Sequence, residues 1–216
     1  SVLIPNKKGF LEAENFGVKE ICTVLCVTDS MNLKNINQPV NQTIKNLKDI
    51  FRESHESNIN SKCYVSVAFH CPYEGRVDAS YVEDVVGILL DYQVKEIVIA
   101  DTIGAANPKE VTFLLSALTN TYKEAKFSCH FHDTNALGLA NVYASIEAGI
   151  NKFDSCIGGL GGCPFAPNSS GNLATEDLVG MLEMMNINTG VNLDKLLSAR
   201  EVAVKLTGLS LKGRMF

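Results

Sequence analysis

The 216-residue chain has no C-x-x-C pair, no cluster of lysines and arginines, and no apolar run near the roughly 18 residues that a membrane-spanning helix needs. Each absence removes a class of function. Seven cysteines, at 22, 26, 63, 71, 129, 156 and 163, make neither an even disulfide framework nor a structural-zinc spacing. Most of them fall in apolar runs, where a thiol behaves as a small hydrophobe, so a reducing compartment is expected. A net charge of −5 with no basic patch argues against a nucleic-acid surface. No charged n-region and apolar h-region of a signal peptide are seen, and no membrane partner is expected. The first residue is Ser1 and not Met, so a native start and any targeting segment are expected to lie outside this sequence.

What is present is a core-forming chain. At 46% hydrophobic it is long enough to bury a sizeable interior, and one domain is the default. Short apolar runs at 1–4, 20–27, 62–69, 96–100, 126–131 and 152–157 have the continuity of buried strands. Amphipathic stretches at 9–16, 40–57, 79–92, 108–122, 136–148 and 175–185 read as helices between them. Asn107-Pro108 marks a helix start, and Asp78 and Thr175 are candidate caps. Three strands open on similar phrases, Gly17-Val-Lys-Glu-Ile21, Gln93-Val-Lys-Glu-Ile97 and Gly149-Ile-Asn-Lys-Phe153. Such alternation implies a parallel sheet with crossover helices.

Six strands fall short of the eight of a (β/α)8 barrel. A doubly wound sheet would accept six, but Ile4-Pro5-Asn6-Lys7-Lys8-Gly9 after the first strand is no G-x-G-x-x-G fingerprint. The chemically loaded residues instead follow several different strands: Asp101, then His130 and His132, then Cys163. That distribution is the one found at a barrel's C-terminal face.

His130 and His132 stand two apart on a strand, so both point to one face and can share a divalent metal. With imidazole, an amide oxygen and a carboxylate as the expected ligands, Mg²⁺ or Mn²⁺ fits better than structural zinc, for which no Cys has the spacing. Asp101 ends a very apolar strand and reads equally as a turn former or as a buried carboxylate that orients a ligand or moves a proton. The run Gly158-Gly159-Leu160-Gly161-Gly162 matches no P-loop and is either a plain turn or a mobile loop. Cys163 follows directly, where a thiol with a tuned pKa can act as acid or base. Asn172 precedes a helix as a cap or completes the metal shell with its carbonyl oxygen. Glu176 and Asp177 favour the positive end of that helix. His55 and His70 are given no role.

The chain resembles the 3-hydroxy-3-methylglutaryl-CoA lyase family. The resemblance rests on Val2-Leu-Ile-Pro-Asn-Lys-Lys-Gly-Phe10, Lys34-Asn-Ile-Asn37, Tyr64-Val-Ser66, Cys71-Pro-Tyr-Glu-Gly75, Asp101-Thr-Ile-Gly104, His130-Phe-His-Asp-Thr134, Gly159-Leu-Gly-Gly-Cys-Pro164 and Gly171-Asn-Leu-Ala-Thr-Glu-Asp177. It weakens only after about Leu197. It implies an α/β fold, a (β/α)8 TIM barrel present as strands 3–8 with their helices. It also implies metal ligation by His130, His132 and Asn172, with Cys163 as the catalytic thiol on a closing loop, Asp101 as an acid/base or orienting group, and Glu176 as a helper. The implied reaction is cleavage of a small-molecule acyl-CoA, 3-hydroxy-3-methylglutaryl-CoA, to acetyl-CoA and acetoacetate with a divalent cation. The implied setting is the bacterial cytoplasm or mitochondrial matrix, with a homodimer as a common assembly.

The departures are equally specific. Family members begin with two further βα units, the first bearing an Arg-Asp pair, and this chain contains no Arg-Asp. His70 stands where glycine is usual. An open parallel sheet leaves two edges unpaired, so residues 1–216 alone are expected to aggregate and to be inactive; a monodisperse preparation with lyase turnover and bound Mg²⁺ would refute this. Two other readings compete: a related carbon–carbon lyase or synthase, and a non-catalytic relative that keeps the fold for binding or assembly.

Overall fold

The computed structural model describes residues 1–162, 164, 171–211 and 213–216. Its framework is a parallel sheet built from β1 (Val2–Leu3), β2 (Glu20–Cys26), β3 (Asn60–Ser66), β6 (Glu96–Asp101), β7 (Phe127–Phe131) and β8 (Phe153–Asp154), hydrogen-bonded in that order. Between β3 and β6 a small antiparallel hairpin, β4 (His70–Cys71) with β5 (Gly75–Arg76), stands apart from the main sheet. Each strand of the main sheet pairs with the next in sequence, with no reversal of order. A doubly wound sheet would reverse at a switch point, whereas a barrel winds in one direction. The architecture is therefore the half-barrel expected from the sequence.

The crossovers are helical: α1 (Lys7–Asn15), α2 (Asp29–Ile36) with α3 (Val40–Glu56), α4 (Ala79–Asp91), α5 (Pro108–Thr121) and α6 (Gly138–Glu147). After β8 come a short 3₁₀ turn (Ile157–Gly159), α7 (Thr175–Met184) and α8 (Leu193–Thr207). In α3, Ile44, Leu47, Ile50 and Phe51 recur at helical spacing and are buried. Burying each such side chain contributes about 1.5–3 kcal/mol. They join one core with Cys63 and Val65 of β3, Ile97 and Ile99 of β6, and Cys129 and Phe131 of β7. Strand alternation then turns Tyr64, Val98, Ser128 and His130 to the opposite, concave face.

That concave face is polar at the start of its strands. Glu96 accepts from Ser128 Oγ at 2.7 Å and pairs with Lys152 at 2.7 Å, while Lys62 pairs with Glu20 at 3.0 Å. Helices cover the apolar face, and the sheet's charges are reserved for the inside of the curve.

Several expectations need correction. The strand expected at 62–69 ends at Ser66, because Val67 turns to φ 51°, a conformation strained for a β-branched residue. Its N–H is held by Thr102 Oγ1 at 2.8 Å. The strand expected at 152–157 shrinks to Phe153–Asp154, since the chain then leaves the ladder and Cys156 bridges Ala174. Thr175 is not a cap: Ala174 occupies that position, and Thr175 Oγ1 accepts from Ser155 instead. Asp78 and Asn107 do cap their helices, Asn107 with a full capping box to Glu110. Helices α2 and α8 and the hairpin were not expected.

Candidate active site

The C-terminal ends of β6 and β7 and the segment after β8 meet at one place. His130 and His132 come off the end of β7 on the same face, their rings 5.3 Å apart. Residues 171–173 run back alongside that strand end: Asp133 N donates to Gly171 O, Leu173 N donates to Phe131 O, and His132 and Asn172 form an antiparallel bridge. The main chain thus sets Asn172 beside His132, although forty residues separate them in sequence.

The Asn172 side chain is held by one end. Its Nδ2 donates to Leu160 O at 2.7 Å, which fixes the amide orientation, and its Oδ1 is buried without a hydrogen-bond partner. A buried acceptor left open costs about 1–3 kcal/mol, so an unused carbonyl oxygen here marks a place for a donor or a cation. Glycine makes the arrangement possible. A Cβ on Gly161 would approach Asn172 Nδ2 to 2.9 Å, and one on Gly171 would lie 2.6 Å from Gly159 O. The glycine run is thus a close-packed wall against Asn172 and matches no phosphate cradle.

Burial, and then the charge of His130, lowers the His132 pKa to about 4. At neutral pH His132 is an uncharged imidazole, the form that ligates metals. Two imidazoles and one amide oxygen fit a divalent cation of borderline or hard character. Among the described residues, no group of three His, Cys, Asp or Glu side chains gathers at metal-binding distance, so the candidate set depends on the amide.

Asp101 is buried at the end of β6, where Oδ1 accepts from Ala105 N and Oδ2 from Ala106 N. It shapes the turn before α5, and burial pushes its carboxyl up to about 6 against the pull of those N–H groups and of His70. Glu176, fully buried in the first turn of α7, accepts from Gly158 N at 2.9 Å and pairs with Arg200 at 3.3 Å. It ties down the start of the glycine run. Cys163 lies outside the described residues. Cys63 and Cys129 are pushed up to about 12 by burial, as structural thiols are.

A scan against family models matches residues 1–203 to the HMGL-like family.

The chain belongs to the HMGL-like family.

It is 40% identical over 214 residues to the hydroxymethylglutaryl-CoA lyase YngG of Bacillus subtilis, covering 99% of this chain and 72% of that protein. The human mitochondrial hydroxymethylglutaryl-CoA lyase is 40% identical over 198 residues, which cover 92% of this chain and 61% of the human protein. The HMG-CoA lyase of Acinetobacter baumannii, solved in complex with coenzyme A and 3-methylmalate, superposes with a TM-score of 0.94 at 36% identity, covering 99% of this chain and 70% of that one. The HMGL-like chain thus spans less than two thirds of the human relative and somewhat more of the bacterial ones. These relatives are carbon–carbon lyases, known from bacteria and from mitochondria. No helix among the described residues is long and apolar enough to cross a membrane.

Several contacts of this HMGL-like site were invisible to sequence reasoning. Tyr64 Oη donates to Asp154 Oδ2 at 2.6 Å across the concave face. Arg214 Nε donates to Asp133 Oδ2 at 2.7 Å, and the N–H groups of Arg214 and Met215 bind the Asp177 carboxylate. The end of the chain therefore straps across the start of α7. A Cβ on Gly158 would lie 2.5 Å from Leu211 Cβ, so the strap also rests on the glycine run. The only sequence signal for it was the acidic Asp133 and Asp177, each of which has a local alternative role.

Proposed function

We propose that residues 1–216 belong to one TIM-barrel lyase domain, of which they lack the N-terminal portion, and that the complete domain cleaves 3-hydroxy-3-methylglutaryl-CoA to acetyl-CoA and acetoacetate. The observation that carries the reading is the convergence of His130, His132 and the open Oδ1 of Asn172 at the end of β7. In this proposal those three groups hold a Mg²⁺ or Mn²⁺ ion. When bound, such a cation supplies Lewis acidity toward the oxygens of the substrate.

The chain's own residues supply the rest. The neutral His132 and the fixed Asn172 amide present lone pairs without needing to lose protons at neutral pH. Asp101, with its carboxyl near 6, is assigned to orienting the site or exchanging a proton close to neutrality. Glu176 anchors Gly158, at the start of the glycine run that precedes Cys163 in sequence. The Cys163 thiol is assigned to protonating the departing acetyl-CoA enolate. The relative solved with coenzyme A supports an acyl-CoA as the substrate class. A bacterial cytoplasm or mitochondrial matrix suits six cysteines that form no disulfide among the described residues.

The test is acetoacetate formation from the thioester, with Mg²⁺, by the complete enzyme that carries this sequence. Cys163→Ala is expected to abolish turnover while Mn²⁺ binding stays near normal. Retained turnover in that variant would remove Cys163 from the chemistry.

A further inference from the structure

Beneath the candidate ligand His130, the concave face carries a second polar cluster that the proposed reaction does not use. The register places Asp154 of β8 directly beside His130 of β7, and Tyr64 of β3 beside Val98 of β6. The Tyr64 ring reaches over the intervening strands, stands edge-on to the His130 ring at 5.9 Å, and donates its hydroxyl to Asp154 Oδ2 at 2.6 Å. The same carboxylate oxygen lies 3.4 Å from His130 Nδ1. That nitrogen is buried and has no hydrogen bond of good geometry.

We propose that Asp154, held in place by Tyr64, is a positioning residue that keeps His130 in the Nδ1–H tautomer and leaves Nε2 as its ligating nitrogen. The inference rests on the metal reading given under Proposed function. Three observations converge on it. A buried ring nitrogen needs a partner, and Asp154 Oδ2 is the acceptor beside it. Tyr64 Oη grips that oxygen from the far side, so the carboxylate cannot swing away without breaking a short hydrogen bond. Finally, a ligating histidine commonly gives its other N–H to a carboxylate, which fixes both tautomer and ring orientation. Tyr64 Oη donates to Asp154 Oδ2, so that oxygen is an acceptor turned toward His130 Nδ1 as well.

Two neighbours set the limits of the cluster. His132 lies on the other side of His130 at 5.3 Å between rings. Lys62 at the start of β3 pairs with Glu20 at 3.0 Å. Lys62 carries no acceptor and the His132 ring is tilted 58° to that of His130, so the acceptor set against Nδ1 is Asp154 Oδ2 at 3.4 Å.

The experiment labels the protein with ¹⁵N-histidine and reads the His130 tautomer from two-bond ¹H–¹⁵N correlations, with His130→Gln assigning the signals. Native protein is expected to show His130 protonated at Nδ1. Asp154→Asn should shift it toward the Nε2–H form, with Asp154→Glu restoring part of the native state. Mn²⁺ affinity, measured by the EPR signal of the free ion, should fall about 10–100-fold in Asp154→Asn, the cost usual for such a partner. Tyr64→Phe, which keeps the ring, should give a mixed tautomer population and a smaller loss. An unchanged His132 signal shows that each variant retains its fold. A native His130 protonated at Nε2, or a tautomer indifferent to both substitutions, overturns the proposal. Absence of Mn²⁺ binding with the tautomer pattern intact would instead contradict the metal reading and leave the Asp154 assignment supported.

Discussion

At the scale of single residues, the two histidines were legible because strand alternation alone puts His130 and His132 on one face. Asn172 was harder to place. Its segment read equally as a helix cap, and only the pairing of 171–173 with the end of β7 decides against that. Tyr64 and Asp154 were not legible at all, since they are ninety residues apart and meet by reaching across two strands. Asp101 was undecided in the sequence and turns out to serve as a turn former with a perturbed carboxyl. Its pKa is raised from 3.8 to about 6, so the folded protein keeps this proton where the unfolded chain gives it up. The resulting stabilisation is complete below pH 3.8 and disappears as pH rises through about 6. At about 1.4 kcal/mol per unit it amounts to about 3 kcal/mol. Urea unfolding across that window should show the native protein losing this much relative to Asp101→Asn, and a difference independent of pH would refute it.

At the scale of elements, legibility followed the strength of the local signal. The helices with clean caps and a buried stripe were placed within a few residues, and α5 is the strongest example. Asn107 accepts from Lys109 N and Glu110 N, while Glu110 returns a bond to Asn107 N. Asn107→Ala should therefore cost about 1 kcal/mol of unfolding free energy in a urea titration. No measurable change would mean that the box is idle. Helix α2 escaped notice because it has eight residues and Thr28 makes no side-chain cap bond. The signals for α8 were present, with Asn192 accepting from Lys195 N at one end and Gly208 at φ 69° at the other. They were masked by the weakening resemblance after Leu197. The strand expectations ran long at 62–69 and 152–157 for a tertiary reason. In each, apolar residues continue past the last ladder bond, and composition does not record where pairing stops.

At the scale of the molecule, six parallel strands in unbroken order put Asp101, His130, His132 and Asn172 at one end of the sheet. The site is consequently a property of the tertiary fold and of no single motif. His130 and His132 come from β7, Asn172 from the return segment after β8, and Asp101 from β6. Unfolding the sheet should dismantle the site entirely. The most direct measurement is electron spin-echo modulation of Mn²⁺ bound to the folded protein carrying ¹⁵N-histidine. The account predicts coupling from two directly bound imidazoles, falling to one in His130→Gln or His132→Gln and vanishing in urea, with weaker binding in Asn172→Ala. Bound Mn²⁺ that shows no histidine coupling, or coupling that survives both substitutions, would contradict it.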